Sequence, residues 1–258
     1  MTQYQKFYDL HQQLEPFYIG NVWNVQSAKI LENQNYKALG TSSAAIAHSL
    51  GYQDGEEISF DELKYIVERI ISQINIPLSI DIEAGYGENS NQIIDNIIQL
   101  AKLGVVGINI EDSIVEKGCR SLKNSKDFSE LIKEIKKELN NQQIKLFINV
   151  RCDAFLVENK NSLDEAKKRI SQYEIAGSDG IFLPCITNEY EIKEILNQTK
   201  LPLNVMTVPN LIDYNSLQKL GVKRISFGNF LNDYAYKSFQ NISKELLKNH
   251  SYKRLFDL

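Results

Sequence analysis

The sequence predicts a (β/α)8 barrel, and three observations carry that prediction. Apolar runs of strand length recur eight times along 258 residues. Segments with helical periodicity separate them. The strands themselves read as near-continuous apolar stretches, as parallel strands do when helices cover the sheet. An open doubly wound sheet is the alternative, but eight units in about 250 residues match the barrel better.

The elements can be taken in chain order. The strand-like runs are PFYIGNVW (16–23), YKALGTSS (36–43), PLSIDIEA (77–84) and VVGINIED (105–112). They continue with KLFINVRCDA (145–154), DGIFLPC (179–185), LPLNVMT (201–207) and KRISFGN (223–229). Between the second and third runs, SFDELKYIVERIISQI carries Ser59 and Glu62 at capping-box spacing. SNQIIDNIIQLAKLG ends on Gly104, and SLDEAKKRISQYEIAG is expected to be capped by Ser162 with Glu165 and stopped by Gly177. Residues 113–126 form a long polar connection, expected to be a lid loop. No linker or low-complexity segment interrupts the chain, so residues 1–258 are expected to form one domain.

Composition narrows the function classes. A net charge of −4 without a Lys/Arg stripe gives no footprint for nucleic acid. No apolar run reaches membrane-spanning length, and the N-terminus lacks a signal-peptide core. Cys119, Cys152 and Cys185 are odd in number and lack metal-type spacing, which points to a reducing cytoplasm. Cys152 and Cys185 are expected to be buried, and core packing is the expectation for Tyr18 and Trp23. His11, His48 and His250 lie outside the strand ends and are not assigned as ligands or bases.

In a barrel of this kind chemistry gathers at the C-terminal ends of the strands, where polar side chains stand out against apolar strand centres. In SIDIEAGYGEN, Asp81 and Glu83 are two apart and so share a face. Glu111 and Asp112 end the fourth strand; Asn149, Arg151 and Asp153 share a face at the end of the fifth. Adjacent carboxylates at one rim require a positive partner, either a hard divalent cation or Arg and Lys side chains. GYGENS is not a dinucleotide fingerprint, because Ser90 fills the third glycine position and the preceding acids would repel a pyrophosphate.

DIEAGYG, GINIEDS and INVRCDAF, with GTSSAAIAHSLGYQDGE upstream, together resemble the isocitrate lyase/phosphoenolpyruvate mutase superfamily from about residue 17 to residue 240. The likeness is greatest to its phosphonomutase-like and oxaloacetate-decarboxylase-like members. The resemblance implies a Mg2+-dependent enzyme (Mn2+ being the alternative ion) in which Asp81 ligates the metal directly and Glu83 and Glu111 hold it through water. It implies that Ser42, with the backbone N–H groups of Ser43 and Ala44, binds a substrate carboxylate, that Arg151 grips substrate oxygens, and that Asp54 lies near the reacting centre. Arg151 could instead pair with the rim acids. Lys117 and Cys119 fall where family lyases carry a lid lysine and an acid/base cysteine, although Gly118, Arg120 and Ser121 break that pattern. GCRSL also resembles the cysteine-free loops of the decarboxylase-like members, which implies a closing lid whose Lys117 steadies the bound anion and whose cysteine is dispensable. Pro184 stands where some relatives carry a charged or imidazole side chain, which argues against phosphoenolpyruvate mutase activity itself. The implied reaction is lysis or decarboxylation of a small α-oxo or α-hydroxy carboxylate through a pyruvate-like enolate. The alternatives are carbon–phosphorus chemistry on phosphonopyruvate and a degenerate carboxylate-binding barrel. The resemblance also implies a homodimer or homotetramer that exchanges a C-terminal helix between subunits.

Overall fold

The computed structural model describes residues 1–157 and 161–256. Strands β1 (Phe17–Val22), β2 (Leu39–Thr41), β3 (Leu78–Asp81) and β4 (Gly107–Glu111) are followed by a hairpin, β5 (Ser113–Glu116) and β6 (Cys119–Leu122). Then come β7 (Phe147–Arg151), β8 (Gly180–Leu183), β9 (Leu203–Met206) and β10 (Arg224–Ser226). The eight long-range strands close in the order β1-β2-β3-β4-β7-β8-β9-β10, with β10 pairing back onto β1, all parallel. The expected (β/α)8 barrel is therefore present.

The helices are α1 (Gln3–Leu10), α2 (Val25–Asn33), α3 (Ser43–Leu50), α4 (Phe60–Ile71) and α5 (Ser90–Lys102). They continue with α6 (Ser125–Asn141), α7 (Ser162–Ala176), α8 (Glu189–Gln198), α9 (Tyr214–Leu220) and α10 (Phe230–Asn249). Each crossover helix lays one apolar stripe on the barrel: α5 buries Ile93, Ile94, Ile97, Ile98 and Leu100. The Ser59–Glu62 capping box is formed, and Gly177 closes α7 in the left-handed region at φ 97°. The expected cap at Ser162 is displaced: Asn161 holds the N-cap position, and Glu165 bonds Arg169 one turn on at 2.7 Å. No described helix is long and apolar enough to cross a membrane.

Two features depart from the sequence reading. Residues 113–122 are a hairpin rather than a loop; its two-residue turn, Lys117–Gly118, has φ of 52° and 78°. Positive φ at both turn positions suits the strand twist of a tight hairpin. The barrel interior is also not wholly apolar. Asn149 donates to Asn109 at 2.8 Å, Arg224 donates to the same Asn109 oxygen at 3.2 Å, and all three are buried. Below this layer, α1 and its C-cap His11 plug the N-terminal end of the barrel: His11 stacks on Phe147 and meets Phe17 edge-on, and Phe7 meets His11, Phe17 and Phe147 edge-on. Cys152 is buried as expected; Cys185 is only partly so, and Tyr18 is an exposed ring tilted against Tyr214 and Phe227. Trp23 packs partly buried against the core.

Candidate active site

Parallel register brings the rim acids together. Asp81 pairs with Asn109 across β3 and β4, and Glu111 pairs with Arg151 across β4 and β7. Residues in register on neighbouring strands are about 4.8 Å apart, so a charge at each strand end must find its partner next door. Arg151 does so: Nε and Nη2 bond Asp153 at 2.6 and 3.2 Å, and Nη1 lies 3.0 Å from Glu111 Oε2. The ion-pair alternative for Arg151 is therefore real, yet it engages only part of the fork. Two of the five guanidinium N–H groups are not engaged by these contacts.

Asp153 starts a 3-10 turn (Asp153–Phe155) and is fully buried. Burial pushes its pKa up, but Arg151, Ser113 and Arg120 outweigh that and hold it below the usual value. Asp112 steadies the same turn. It accepts from the Asp153 N–H at 2.9 Å and from Arg169 and Tyr173 at 3.0 and 2.7 Å. Asp112 is thus a strut rather than a rim acid.

The hairpin supplies what the sequence did not reveal. Arg120 reaches down from β6 to bond Glu111, Ser113 Oγ at 2.7 Å and Asp153 at 3.0 Å, with Asp54 3.5 Å away. Strand alternation sets this: Arg120 and Leu122 turn inward, so Cys119 and Ser121 are exposed. Cys119 is therefore on the outer face, and Lys117 sits at the hairpin tip. The residue that this segment delivers to the acids is Arg120, in place of the expected Lys117 and Cys119. The readable signal was a Lys-Gly turn flanked by alternating residues. The hairpin is seated on Gly55 (φ 117°), where a Cβ would meet Val115 at 2.9 Å.

The expected metal acids are unequal. Asp81 accepts from Ser43 Oγ at 3.0 Å through Oδ2, while its Oδ1 is buried without a partner. Burial, with repulsion from Asp54, pushes the Asp81 pKa up. Glu83 is pushed up to about 8, chiefly by burial and next by Asp54; it accepts from Tyr86 Oη at 2.5 Å and from the Glu56 N–H at 2.8 Å. Burial pushes the Glu111 pKa up despite its two arginines. Among the described residues no three Asp, Glu, His or Cys side chains converge on one ion. Of the carboxylate oxygens, Asp81 Oδ1 and Glu111 Oε2 are buried without a hydrogen-bond partner. Glu111 Oε2 faces Arg151 at 3.0 Å, whereas both Glu83 oxygens are bonded, so Asp81 Oδ1 is the one with neither a hydrogen-bond nor an ion-pair partner among the described residues.

The GTSSA turn opens α3. Ser42 Oγ accepts from the Ala45 N–H at 3.3 Å as the N-cap, so its hydroxyl serves the helix. The N–H groups of Ser43 and Ala44 belong to the unsatisfied first turn of that helix and border the site, as an anion-binding turn requires. Ser43 Oγ also lies 3.1 Å from Asp54 Oδ1, and its single proton cannot serve Asp54 and Asp81 at once. The side chain of Ser43 thus couples the two acids, a role invisible in the sequence. Asp54, Asp81, Arg151 and the 42–44 turn line one cavity of about 140 Å3.

Comparison with known proteins agrees with the fold. The sequence model of the phosphoenolpyruvate phosphomutase family matches residues 7–247. An uncharacterized protein of Mycobacterium tuberculosis is 31% identical over 222 residues, 86% of this chain and 81% of the relative. A 2-methylisocitrate lyase of Aeropyrum pernix is 27% identical over 242 residues, 92% and 77% of the two chains. Among solved structures, a provisional phosphonomutase of Burkholderia cenocepacia J2315 superposes with a TM-score of 0.88 at 29% identity, over 94% of this chain and 99% of the other.

Proposed function

This chain belongs to the phosphoenolpyruvate phosphomutase family, within the isocitrate lyase/phosphoenolpyruvate mutase superfamily, and from that premise we propose that it is a Mg2+-dependent carbon–carbon lyase or decarboxylase acting on a small α-oxo or α-hydroxy carboxylate. The observation that carries this reading is the single small cavity where the open oxygen of Asp81, the fork of Arg151 and the Ser43 and Ala44 amides meet. Asp81 would hold the ion directly, with Glu83 and Glu111 acting through water. A bound Mg2+ supplies Lewis-acid stabilisation for negative charge developing at the α-oxo oxygen.

The chain's own groups do the rest. The Ser43 and Ala44 amides and the remaining N–H groups of Arg151 bind the substrate carboxylate and fix its orientation. Arg120 and Arg151 together neutralise Glu111 and Asp153, so the acids at the cavity do not repel an anionic substrate outright. Asp54 lies within reach of Ser43 at the cavity edge and can accept or return a proton there. The hairpin, seated on Gly55, shields the acids from water.

The oligomer belongs to the same proposal. Tyr234, Phe239 and Leu247 of α10 are each at least 70% exposed, an apolar display that an exchanged C-terminal helix would cover. Sedimentation of wild type against Phe239→Glu tests it, dissociation being the expected result.

The decisive experiment measures pyruvate release from a panel of small oxo and hydroxy acids with and without Mg2+. Wild type should turn over at least one in the presence of the ion, and Asp81→Ala none. Calorimetry should find Mg2+ binding in wild type and its loss in Asp81→Ala; equal affinity in both would remove the metal site from Asp81.

A further inference from the structure

We infer that the fragment cleaved from the substrate leaves this site uncharged, as carbon dioxide or a small aldehyde. The inference rests on the enolate reading above and adds the chemistry of the second product.

The cavity lining has two chemistries. Around Asp81, Arg151 and the 42–44 turn it is charged and donor-rich, whereas Leu156, Phe182, Pro184 and Met206 present hydrocarbon and sulfur. The polar side chains beside them are engaged within the protein: Asn21 Oδ1 accepts from the Phe227 N–H, Ser226 donates to the Val205 carbonyl and Asn229 donates to Asp233. This apolar wall is built, not incidental. The Phe182 ring packs 6.0 Å from the Arg151 guanidinium and is buried. Met206 is pressed onto Gly228, which holds a left-handed backbone (φ 55°); a Cβ there would come within 2.7 Å of Met206 Sδ. Among the described residues Arg151 is the one cation in the lining, and Asp153 and Glu111 already engage it. Arg120 faces the same acids and is not part of the lining.

A phosphate or carboxylate-bearing fragment would therefore be released against an apolar wall and beside Asp54, with no side-chain cation in the lining besides Arg151 to hold it. Desolvation and like-charge repulsion both oppose that outcome. A departing carboxylate that becomes carbon dioxide moves charge the favourable way. The bond from C3 to the carboxylate carbon breaks, and its electron pair forms the C2–C3 double bond. The carbonyl pair moves onto the α-oxo oxygen, carbon dioxide leaves neutral, and a proton then adds to C3. In the aldehyde case Asp54 takes the proton of the C4 hydroxyl, the oxygen's electron pair forms the aldehyde carbonyl as the C3–C4 bond breaks, and the electrons of that bond follow the same path. Either way the fragment that meets the apolar wall carries no charge, while the charge that develops lies at the polar end.

The test uses the purified protein with Mg2+. Oxalate, a planar dianion shaped like the enolate of pyruvate, first checks the platform by calorimetry; failure to bind would overturn the enolate reading itself, and this inference with it. Pyruvate release is then compared, above the Mg2+-only background, for oxaloacetate, 4-hydroxy-2-oxopentanoate, phosphonopyruvate and 2-methylisocitrate. One or both of the first two should exceed the last two by about 100-fold or more in kcat/KM. Leu156→Arg should shift that ratio by about tenfold toward the anionic leaving groups. Phosphonopyruvate or 2-methylisocitrate as the preferred substrate overturns the inference, as does an unmoved ratio in a Leu156→Arg protein that still binds oxalate. If none of the four turns over, phosphate and succinate are titrated into the oxalate-loaded protein. No effect on oxalate affinity is then expected, and a tightening of about threefold or more overturns the inference.

Discussion

Arg120 Nη1 lies 3.0 Å from Asp153 Oδ2, so a side chain from a surface hairpin closes an ion pair with a fully buried carboxylate. Arg120 is also bonded to Glu111 and Ser113, and its side chain keeps only 17% of its surface exposed. Removing it leaves Glu111 and Asp153 sharing Arg151 alone. Arg120→Ala should therefore destabilise the protein by about 3 kcal/mol, the scale for breaking a buried pair. It should also free the hairpin. Hydrogen exchange across residues 113–122 should accelerate relative to the barrel strands, while Arg120→Lys should restore only part of the protection. Unchanged exchange in Arg120→Ala would mean that Val115 on Gly55 alone seats the hairpin.

What the sequence made legible divides along physical lines. The barrel was readable because apolar strands and amphipathic helices are local periodicities, and Asp81, Glu111 and Arg151 because strand ends place side chains at the rim. Arg120 was not. Its destination depends on the inward or outward phase of a hairpin whose Lys-Gly turn reads as loop until both residues are seen at positive φ. Ser43 illustrates the same limit, since its hydroxyl contacts Asp54 and Asp81 from 11 and 38 residues away. Of the buried Asn109–Asn149–Arg224 layer only Asn149 drew attention, and as a strand-end residue beside Arg151, whereas it bonds Asn109 inside the barrel; Asn109 sits singly inside an apolar run and Arg224 follows Lys223 where a strand begins.

Cys119 follows from the same hairpin phase. On the outer face it has no path to the acids unless β6 re-pairs. Cys119→Ser should keep turnover within about twofold of wild type; an acid/base cysteine would cost roughly 10²-fold in kcat. Alkylation of Cys119 should be fast and equal with and without oxalate and Mg2+. Protection by those ligands would show that the hairpin turns its other face to the substrate.

Arg151 contributes geometry as well as charge. Its Nε and Nη2 form a two-point contact with Asp153 that a lysine cannot reproduce. Arg151→Lys should lower kcat/KM by roughly tenfold or more, ~1.4 kcal/mol of transition-state stabilisation. An unchanged value for any accepted substrate would remove Arg151 from the substrate site and leave it as a structural ion pair.

His11 ties stability to pH at the far end of the barrel. Its ring stacks on Phe147 with centroids 4.1 Å apart and meets Phe7 and Phe17 edge-on. Nδ1 lies 2.8 Å from the Phe7 carbonyl oxygen as its hydrogen-bond partner, and Nε2 is buried with no partner. Burial first and the Arg224 charge second lower its pKa to about 3. The unfolded chain, titrating near 6.5, therefore binds a proton that the folded chain refuses between those two values. The stabilising contribution is intact above about 6.5 and declines as pH falls toward 3, by about 1.4 kcal/mol per pH unit. His11→Phe keeps the aromatic packing and removes the titration. Urea unfolding at pH 7 and pH 4.5 should show wild type losing about 2.7 kcal/mol more than the variant over that interval. Equal losses in the two proteins would mean that α1 detaches and lets water reach His11 before the rest of the fold is lost.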